Sequence, residues 1–531
     1  MIDTVALREK VLDLAIRGKL VPQDPNDEPA SVLLERIREQ KQQMVKEGKL
    51  KAKDIKDDSV IFVGDDNLHY EKFADGTVKC IEDEIPFELP EGWAWCRLRE
   101  IFNVCSAKRV LQSEWKTEGV PFYRAREIVK LANNGYVDNE LFISLEHYEN
   151  LKETYGVPQT GDLMVTGVGT IGKVHIVRED DIFYYKDASV LCFENRYGVI
   201  NSEYARIMID SSLLQEQIHS QTYGNTVDTI TISTANNYLC ILPPISEQSR
   251  IVQSVKTAVC LIDKIEGDNK EIRNTISLIK SKVLDLAIRG KLVPQNPDDE
   301  PASVLLERIR AEKEELIKQG KIKRDKKESI IFKGEDNSYY EKFANGDGKN
   351  IDSDIPFELP LSWEWCKIGD LFTHNTGKAL NSSDTNGTIM TYITTSNLYW
   401  DSFVLDSLKK MNFSDSEIEK CTVRKGDLLV CEGGDIGRAA IWQKDEEIRI
   451  QNHIHKLRPY IQLSNRFYYY VFYLWKQMDR IGGRGIGLQG FSSKALHNLL
   501  VPLPPIREQI DIVTQVDTIW KMLDSIEKSL S

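Results

Sequence analysis

The sequence predicts an α+β fold in which two mixed α/β domains are joined by two long antiparallel coiled-coil helices related by pseudo-twofold symmetry. Three observations lead to this prediction. A long segment occurs twice, apolar residues recur at a coiled-coil spacing in the middle of the chain, and the remaining segments mix strand-like with helix-like patterns. At 531 residues the chain is also too long for a single core.

The repeat begins with KVLDLAIRGKLVPQ, which stands at residues 10–23 and again at 282–295. Between residues 10–39 and 282–311, 27 of 30 positions are identical. By contrast, residues 100–160 have no convincing counterpart in 370–425. This contrast predicts a shared frame that carries two different domains. The likeness includes IPFELPEGWAWC and IPFELPLSWEWC just before these divergent stretches, and it resumes after them in GDLMVTGVGTIG and GDLLVCEGGDIG and in LPPISEQSRIV and LPPIREQIDIV.

The central helix is predicted from apolar or small residues that recur in steps of four and three after Pro244. This spacing is typical of a helix whose seam packs on another helix, and it extends from Ser246 to Arg289. Both ends of the chain carry parts of the same seam, so the two terminal helices together are expected to form an antiparallel partner. The seam positions are Ile251, Val255, Ala258, Ile262, Ile265, Ile272, Ile276, Ile279, Val283 and Leu286, with Leu7, Val11 and Leu14 near the start and Ile512, Val516, Ile519, Leu523 and Ile526 near the end.

The repeat and the seam predict five segments. They are an N-terminal helix with a charged linker (1–85), a first divergent domain (86–241), the central helix with a second charged linker (242–355), a second divergent domain (356–502) and a C-terminal helix that pairs with the central one (503–531). The charged stretches 38–58 and 310–329 leave two interpretations open: an exposed helix that contacts a partner or phosphate, and a solvated helix with a linker.

Composition excludes several classes of protein. A net charge of −13 argues against a protein that coats nucleic acid indiscriminately, although residues 448–501 carry eight basic side chains and one acidic one. The nine cysteines are scattered singly, which predicts reduced thiols and no metal site. Because the sequence has neither a long apolar run nor a signal-peptide core, we expect a cytoplasmic protein.

GVGTIG, at residues 167–172, fits the glycine pattern of a dinucleotide site, but a strand-like KVHIV follows where such a site needs a helix. The second copy reads EGGDIG, which breaks the pattern. We therefore predict a hairpin turn in both halves and no cofactor bound by this chain. The sequence also lacks the [ND]-P-P-[YFW] motif of amino-methyltransferases, the phosphate-binding P-loop and the nucleophile elbow, so we expect a binding protein and not an enzyme.

Candidate nucleic-acid contacts are chosen for their chemistry. Arginine and lysine suit phosphates and guanine edges, whereas asparagine and glutamine suit adenine. In the first domain the candidates are Lys108, Arg109, Arg124, Arg126, Thr166, Thr170, Lys173, Tyr223, Asn225 and Thr226; in the second they are Thr376, Lys378, Thr395, Asn397, Asp435, Arg438, Asn452, His453, Lys456, Arg484, Gln489, Ser492 and Lys494.

With these motifs, the chain resembles the specificity subunit of type I restriction-modification enzymes over nearly its whole length. The resemblance rests on LPEGWAWCRL and LPLSWEWCKI at the start of each target recognition domain, and on the GDL and LPPI motifs within and after it. It implies that each domain reads one half of a bipartite, asymmetric DNA target in the major groove and that the paired helices set the spacer. It also implies two methyltransferase subunits and restriction (motor) subunits as partners. S-adenosylmethionine, ATP and magnesium would be bound by those partners.

Two other functions remain open at this point. One is a two-headed coiled-coil scaffold that binds proteins and no nucleic acid, although the basic segment 448–501 speaks against it. The other is the specificity subunit of a related methylating system that lacks a motor.

Overall fold

A computed structural model describes residues 3–48, 50–52, 55–220, 228–325, 328–380, 386–481 and 491–530. The chain divides into two compact units, residues 2–268 and residues 269–531, and the division falls within the central helix. Each unit contains one copy of the repeat and one recognition domain, so the two can be compared element by element.

The first unit contains α-helices and short strands in alternation. Its helices are α1 (Thr4–Ile16), α2 (Ala30–Lys46), α3 (Leu98–Ile101), α4 (Ala125–Asn134), α5 (Leu145–Tyr155), α6 (Ser202–Asp210), α7 (Ser212–Ser220), α8 (Ile232–Asn236) and the start of α9 (Ile245–Ile288). Its strands are β1 (Ser59–Val63), β2 (His69–Phe73), β3 (Val78–Cys80), β4 (Ala94–Arg97), β5 (Asn103–Ser106), β6 (Val120–Tyr123), β7 (Phe142–Ile143), β8 (Leu163–Thr166), β9 (Val174–Ile176), β10 (Tyr184–Tyr185), β11 (Val190–Glu194) and β12 (Leu239–Leu242).

The second unit continues from α9 with the same kinds of element. Its other helices are α10 (Ala302–Lys318), α11 (Ile368–Leu371), α12 (Asp415–Cys421), α13 (Asn465–Gln477), α14 (Ser493–His497) and α15 (Ile506–Ser529). Its strands are β13 (Ser329–Lys333), β14 (Tyr339–Phe343), β15 (Gly348–Asn350), β16 (Glu364–Lys367), β17 (Phe372–Thr376), β18 (Thr388–Ile393), β19 (Leu398–Tyr399), β20 (Ser402–Phe403), β21 (Lys409–Phe413), β22 (Thr422–Val423), β23 (Leu428–Cys431), β24 (Ala439–Ile441), β25 (Ile448–Ile450), β26 (Ile454–Pro459) and β27 (Leu500–Leu503).

The two recognition domains share the core of their sheet topology even where their sequences diverge, while the second also has the pair β19-β20 and the additional strand β22. The antiparallel sheet β5-β11-β8-β9 in the first corresponds to β17-β26-β23-β24 in the second. A parallel pair, β6 with β10, corresponds to β18 with β25. In each domain the first strand pairs with the last, β4 with β12 and β16 with β27. The mixed α/β character predicted from the sequence is therefore confirmed, and the divergent segments are variants of the same fold.

The central helix confirms its prediction, since α9 has the predicted 44 residues. In the first unit, Arg8 of α1 pairs with Asp263 of α9 at 2.6 Å, and Val11 packs on the cluster that holds Ile251 and Val255. In the second unit, Lys280 of α9 forms an ion pair with Asp524 of α15. Each terminal helix thus contacts the part of α9 that belongs to its own unit.

A three-stranded sheet in each half was not predicted from the sequence. The charged stretches form helices only as far as Lys46 and Lys318, after which β1-β2-β3 and β13-β14-β15 follow. These sheets lie within the segments predicted to be charged linkers, and each of their strands has only three to five residues. In each sheet a buried carboxylate accepts a hydrogen bond from a serine on the neighbouring strand, Glu71 from Ser59 and Glu341 from Ser329, both at 2.6 Å.

The repeated KVLDLAIRGKLVPQ segment ends in a buried hydrogen-bonded cluster, which we call the glutamate clamp. In the first unit, Glu247 at the start of α9 accepts hydrogen bonds from Trp93 Nε1 at 2.9 Å and Gln23 Nε2 at 3.2 Å. In the second unit, Glu508 accepts the corresponding bonds from Trp363 and Gln295. The clamp joins three separate parts of the chain in each half: the end of the repeated segment, the entrance to the recognition domain and the helix that leaves it.

Gly18 supports the clamp in a conformation that only glycine adopts easily. Its φ is +64°, and an added Cβ would lie 2.3 Å from Cγ of Pro90. We expect Gly18→Ala to lower the free energy of unfolding of the first unit by about 2–4 kcal/mol through backbone strain and the clash. Thermal and denaturant unfolding measure this. The matched control is Gly48→Ala, since Gly48 also follows a helix with φ of +72° but has nothing within 4 Å; equal losses in both variants would contradict the packing argument.

The sheet β1-β2-β3 is fixed to the first recognition domain by a buried acid. Glu100 accepts a hydrogen bond from Ser59 N at 2.9 Å, while Lys41 Nζ lies 3.0 Å from Asp58. Burial, together with the charge of Asp58, raises the pKa of Glu100 to about 7. Because the folded state holds this proton more tightly than the unfolded state, the contribution of Glu100 to stability falls as pH rises from about 4.5 to about 7.

As pH rises across this window, we expect wild type to lose up to about 3 kcal/mol of its free energy of unfolding, whereas Glu100→Gln does not lose it. The stability of the variant relative to wild type therefore increases with pH. The amide keeps an acceptor for Ser59 N but has no proton to lose. Unfolding measured at several pH values between 5 and 8 gives the difference. A difference that does not change with pH would mean that Glu100 is ionised throughout this range.

Candidate nucleic-acid interface

The hairpin turn predicted for GVGTIG is confirmed in the first domain. The turn joins β8 to β9, and both Gly169 and Gly172 have positive φ. Thr166 is buried, and its hydroxyl donates to Thr170 O at 2.6 Å and accepts from Lys173 N at 2.9 Å. The threonine thereby closes the turn from inside, while the side chains of Thr170 and Lys173 are exposed at its surface.

The second domain has the same turn between β23 and β24, again with positive φ at Gly434 and Gly437. Different side chains surround it. Arg438 donates to Thr395 O at 2.6 Å and lies over the ring of Tyr399, 4.9 Å from its centroid. Asp435 is half-buried and lies 3.1 Å from Lys476 Nζ. The two turns therefore present different chemistry on one backbone geometry.

In the first domain, hydrogen bonds bring distant segments to the turn. Gly167 N donates to Ser189 O at 2.9 Å, and Ala188 N donates to Ser106 Oγ at 3.1 Å. Lys186 N donates to Tyr123 O at 2.8 Å. Residues 186–189 thus connect the turn to the segments that carry Lys108, Arg109, Arg124 and Arg126.

The second domain gathers its candidates in the same way. Gln451 N donates to Ile393 O at 3.0 Å, and Asn452 N donates to Lys378 O at 3.0 Å. Glu432 N, in the turn, donates to His453 O at 2.8 Å. Residues 376–378, 394–397, 431–438 and 451–453 therefore form one surface, although up to 77 positions separate them in the sequence.

The candidates differ in exposure. Lys108, Arg109, Arg126, Thr170, Lys173, His453, Ser492 and Lys494 are exposed. Others are half-buried, namely Arg124, Thr376, Lys378, Thr395, Asp435, Arg438 and Asn452. Five candidates, Tyr223, Asn225, Thr226, Arg484 and Gln489, lie outside the described residues.

Three candidates are buried, and their polar groups are used inside the domain. Thr166 closes the first turn, and Asn397 donates to Val404 O and accepts from Thr394 N. Lys456 donates to Lys420 O at 2.8 Å and Thr422 O at 2.7 Å. Burial lowers the pKa of Lys456 to about 8. These contacts hold the loops around the three residues in position.

Several of the other candidates have partners within their own domain. Glu127 is buried, which by itself would raise its pKa, but hydrogen bonds from Arg124 and Arg126 hold the pKa below its usual value. Lys378 Nζ lies 2.8 Å from Glu417 Oε2. Ser492 caps α14 by accepting from Ala495 N at 3.3 Å. Lys108 Nζ, by contrast, lies over the exposed ring of Tyr155 at 5.2 Å.

Sequence reasoning missed Lys186 and Tyr399. Lys186 follows β10 directly, at the position that Gln451 occupies after β25, and each main-chain N–H bonds to the end of the parallel strand beside it. The equivalence depends on topology, because FYYKDAS and IRIQNHI have no similarity that reveals it. Tyr399 is evident only from its contact with Arg438.

Within the described ranges, no cluster of three or more histidine, cysteine or acidic side chains is arranged to hold a metal ion. None of the helices in these ranges combines the length and the hydrophobicity that a membrane span requires.

The sequence profile of the family described as "Type I restriction modification DNA specificity domain" matches residues 90–274 and 360–531. The two matches cover both recognition domains and the helices that follow them. The chain belongs to this family. It is accordingly a DNA specificity subunit of a type I restriction-modification system, the non-catalytic component of such systems.

Two relatives align with nearly the whole length of this chain. The chain is 26% identical over 599 aligned positions to the type I restriction enzyme EcoAI specificity subunit of Escherichia coli, with 98% of this chain and 90% of that protein covered. It is 27% identical to the EcoEI specificity subunit of the same organism, with 99% and 90% covered. Among solved structures, a chain from a study of complex assembly and conformational transition of the type I R-M system matches with a TM-score of 0.50 and 17% identity, covering 84% of this chain and 94% of that one. This last likeness concerns the fold alone.

Proposed function

We propose that each recognition domain of this specificity subunit reads one half of a bipartite, asymmetric DNA target in the major groove. One observation carries the proposal: the two domains present the same hairpin turn, built on corresponding four-stranded sheets, with different polar side chains around it. Two surfaces with different polar side chains on equivalent backbone geometry are suited to two different DNA half-sites.

The exposed side chains suggest how the halves differ. The first surface offers cations, with Lys108, Arg109 and Lys173 exposed and Lys186 beside them. Such groups suit phosphates and guanine edges. The second offers Asn452 and His453 next to Gln451, and an amide matches the paired donor and acceptor of adenine. We assign the buried Thr166, Asn397 and Lys456, together with the partnered Lys378 and Arg438, to positioning the loops.

We propose that α9, with α1 and α15 as antiparallel partners, forms the ruler between the half-sites and gives the frame its pseudo-twofold symmetry. At roughly 1.5 Å per residue, the 44 residues of α9 extend about 66 Å. Half-sites on one face of a duplex are separated by multiples of about 34 Å. Support comes from the ion pairs of Arg8 with Asp263 and of Lys280 with Asp524, each within its own unit.

The proposal includes the five segments inferred from the repeat and a complex with two methyltransferase subunits and with restriction subunits in the cytoplasm. S-adenosylmethionine, ATP and magnesium would be bound by those partners, and adenine N6 is the expected methylated atom. A related system without a motor would use the same specificity subunit, and cleavage assays with the restriction subunit distinguish the two.

The experiment is co-expression of the chain with its methyltransferase subunit, followed by sequencing that detects N6-methyladenine. We expect one split motif that is methylated on both strands. Exchange of residues 356–502 for another recognition domain should change one half of the motif and keep the other half and the spacer. An assembled complex without any methylated motif would overturn the proposal.

Single substitutions should separate phosphate contacts from base contacts. Lys173→Ala is expected to weaken binding about 5- to 50-fold on all sequences, whereas Asn452→Ala should weaken the specific site to a similar extent and relax the choice of base at one position. Affinity of the assembled complex for site variants, at fixed salt, measures both. Lys79→Ala, an exposed lysine on β3, is the control and should bind as wild type does. If Asn452→Ala weakened all sequences equally, the residue would not read a base.

A further inference from the structure

Two pairs of cysteines stand directly opposite each other on neighbouring antiparallel strands of the first unit. Cys105 of β5 faces Cys192 of β11, and Cys96 of β4 faces Cys240 of β12. Directly opposed residues have Cα atoms about 4.5–5.5 Å apart and side chains on the same face of the sheet. A disulfide bridges Cα separations of this size. The four thiols are free, and each pair has the backbone arrangement that a disulfide needs.

The two pairs differ in their access to solvent. Cys96 and Cys240 lie in the hydrophobic core, with 2% and 0% of their surface exposed. Cys105 is half-buried, and both Cys105 and Cys192 line a cavity of about 340 Å³. Because oxidants react with the thiols that they can reach, the pair of Cys105 and Cys192 is open to oxidation and the core pair is protected.

The side chains of Cys105 and Cys192 meet in one apolar cluster, together with Met164 and Tyr185. Cys105 Sγ lies 3.9 Å from the Tyr185 hydroxyl. Cys192 Sγ lies 3.9 Å from Asp162 Oδ2, and its hydrogen bond with Cys105 and its burial raise the pKa of its thiol. Cys105 is therefore the thiol that meets an oxidant first, and Cys192 is in position to react second.

Hydrogen bonds connect this pair to candidate DNA-binding residues of the first domain. Ser106, next to Cys105, accepts from Ala188 N at 3.1 Å, and Lys108 N donates to the Tyr184 hydroxyl at 3.0 Å. Lys108 also lines the cavity. Opposed Cβ atoms are about 4.5–5.5 Å apart and a disulfide holds them at about 3.8 Å, so the bond draws β5 and β11 together by about 1 Å. Binding groups need positions fixed within about 0.5 Å, so this movement disturbs them.

We propose that Cys105 and Cys192 form a reversible disulfide in response to hydrogen peroxide, and that this modification weakens recognition of the first DNA half-site. The effect on DNA rests on the proposed function, whereas formation of the disulfide does not. The second domain has Asn375 and Lys456 at the corresponding opposed positions, so its half-site is read in the same way in both redox states.

The reaction consumes one peroxide molecule and both thiols. The deprotonated Cys105 sulfur attacks one peroxide oxygen and becomes a sulfenic acid, while the O–O bond breaks and the departing hydroxide takes up the thiol proton as water. The Cys192 sulfur then attacks the sulfenic sulfur. The S–S bond forms, the S–O bond breaks, and the second water leaves with the Cys192 proton. Two electrons pass from the thiols to the peroxide, and an external dithiol reverses the oxidation.

The test uses the full chain assembled with its methyltransferase subunit and compares Cys105→Ala with the double variant Cys80→Ala and Cys260→Ala. Cys80 and Cys260 are exposed thiols of the same unit, outside the opposed pairs, and so form the matched control. Each complex is treated with hydrogen peroxide, blocked with N-ethylmaleimide and digested without reductant. Mass spectrometry identifies joined peptides. Affinity for the methylated motif is measured before treatment, after it and after addition of dithiothreitol.

We expect peroxide to join the Cys105 and Cys192 peptides of the wild type and to weaken its binding to the target about 10-fold, and dithiothreitol to restore the binding. The Cys80→Ala and Cys260→Ala variant should respond as the wild type does. Cys105→Ala should keep its affinity for the target after peroxide treatment. An equal loss in Cys105→Ala would place the damaging oxidation elsewhere in the complex and overturn the proposal.

Other results would also overturn it. A wild-type pair that stays reduced would do so, as would joined peptides of Cys105 and Cys192 with unchanged affinity for DNA. A link between Cys96 and Cys240 in their place would contradict the argument from access. If the untreated wild-type complex bound no target, the proposed function would fail and with it the effect on DNA, whereas the joined peptides would still report the disulfide.

Discussion

The glutamate clamp is the interaction on which the rest of each half depends. Glu247 and Glu508 are buried, and burial raises the pKa of each, against the hydrogen bonds from tryptophan and glutamine that favour the charged form. A buried hydrogen bond to a charged group contributes about 1.5–3 kcal/mol. The larger effect is geometric, because a carboxylate with two fixed donors defines how the helix leaves the domain and how the repeated segment meets it. In the repeated segment, Gln23 and Gln295 are the residues that make this contact.

The architecture could be predicted from the sequence wherever periodicity or repetition was strong. The long helix was predicted to within one residue at each end, and the glycine pair in each GDL segment led correctly to a turn. The sheets at 59–80 and 329–350 were missed because their strands are short and carry many charged residues. Their stability comes from buried tertiary contacts, such as Glu71 with Arg97, which no local pattern reveals.

The candidate interface was predictable in its chemistry but less so in its geometry. Residue type singled out segments of the second domain that meet on one surface through main-chain hydrogen bonds. Residue type did not tell which side chains point inward. Lys456 is a strong candidate by charge, yet it is buried against two carbonyl groups, while Lys186 is adjacent to the turn and had no distinguishing neighbours. Exposure depends on strand register, and register is fixed by partners far away in the sequence.

The pairing of first and last strands in each recognition domain has an evolutionary consequence. Because β4 pairs with β12, and β16 with β27, the two ends of a domain leave it side by side. The rest of the domain is then a long loop whose two ends are held together by a two-stranded stem. Its length or sequence can change without changing the distance between those ends. Loop-closure entropy rises only slowly with length, so such a stem tolerates insertions and wholesale replacement. This explains how residues 100–160 and 370–425 drifted beyond recognition while residues 10–39 and 282–311 stayed almost unchanged.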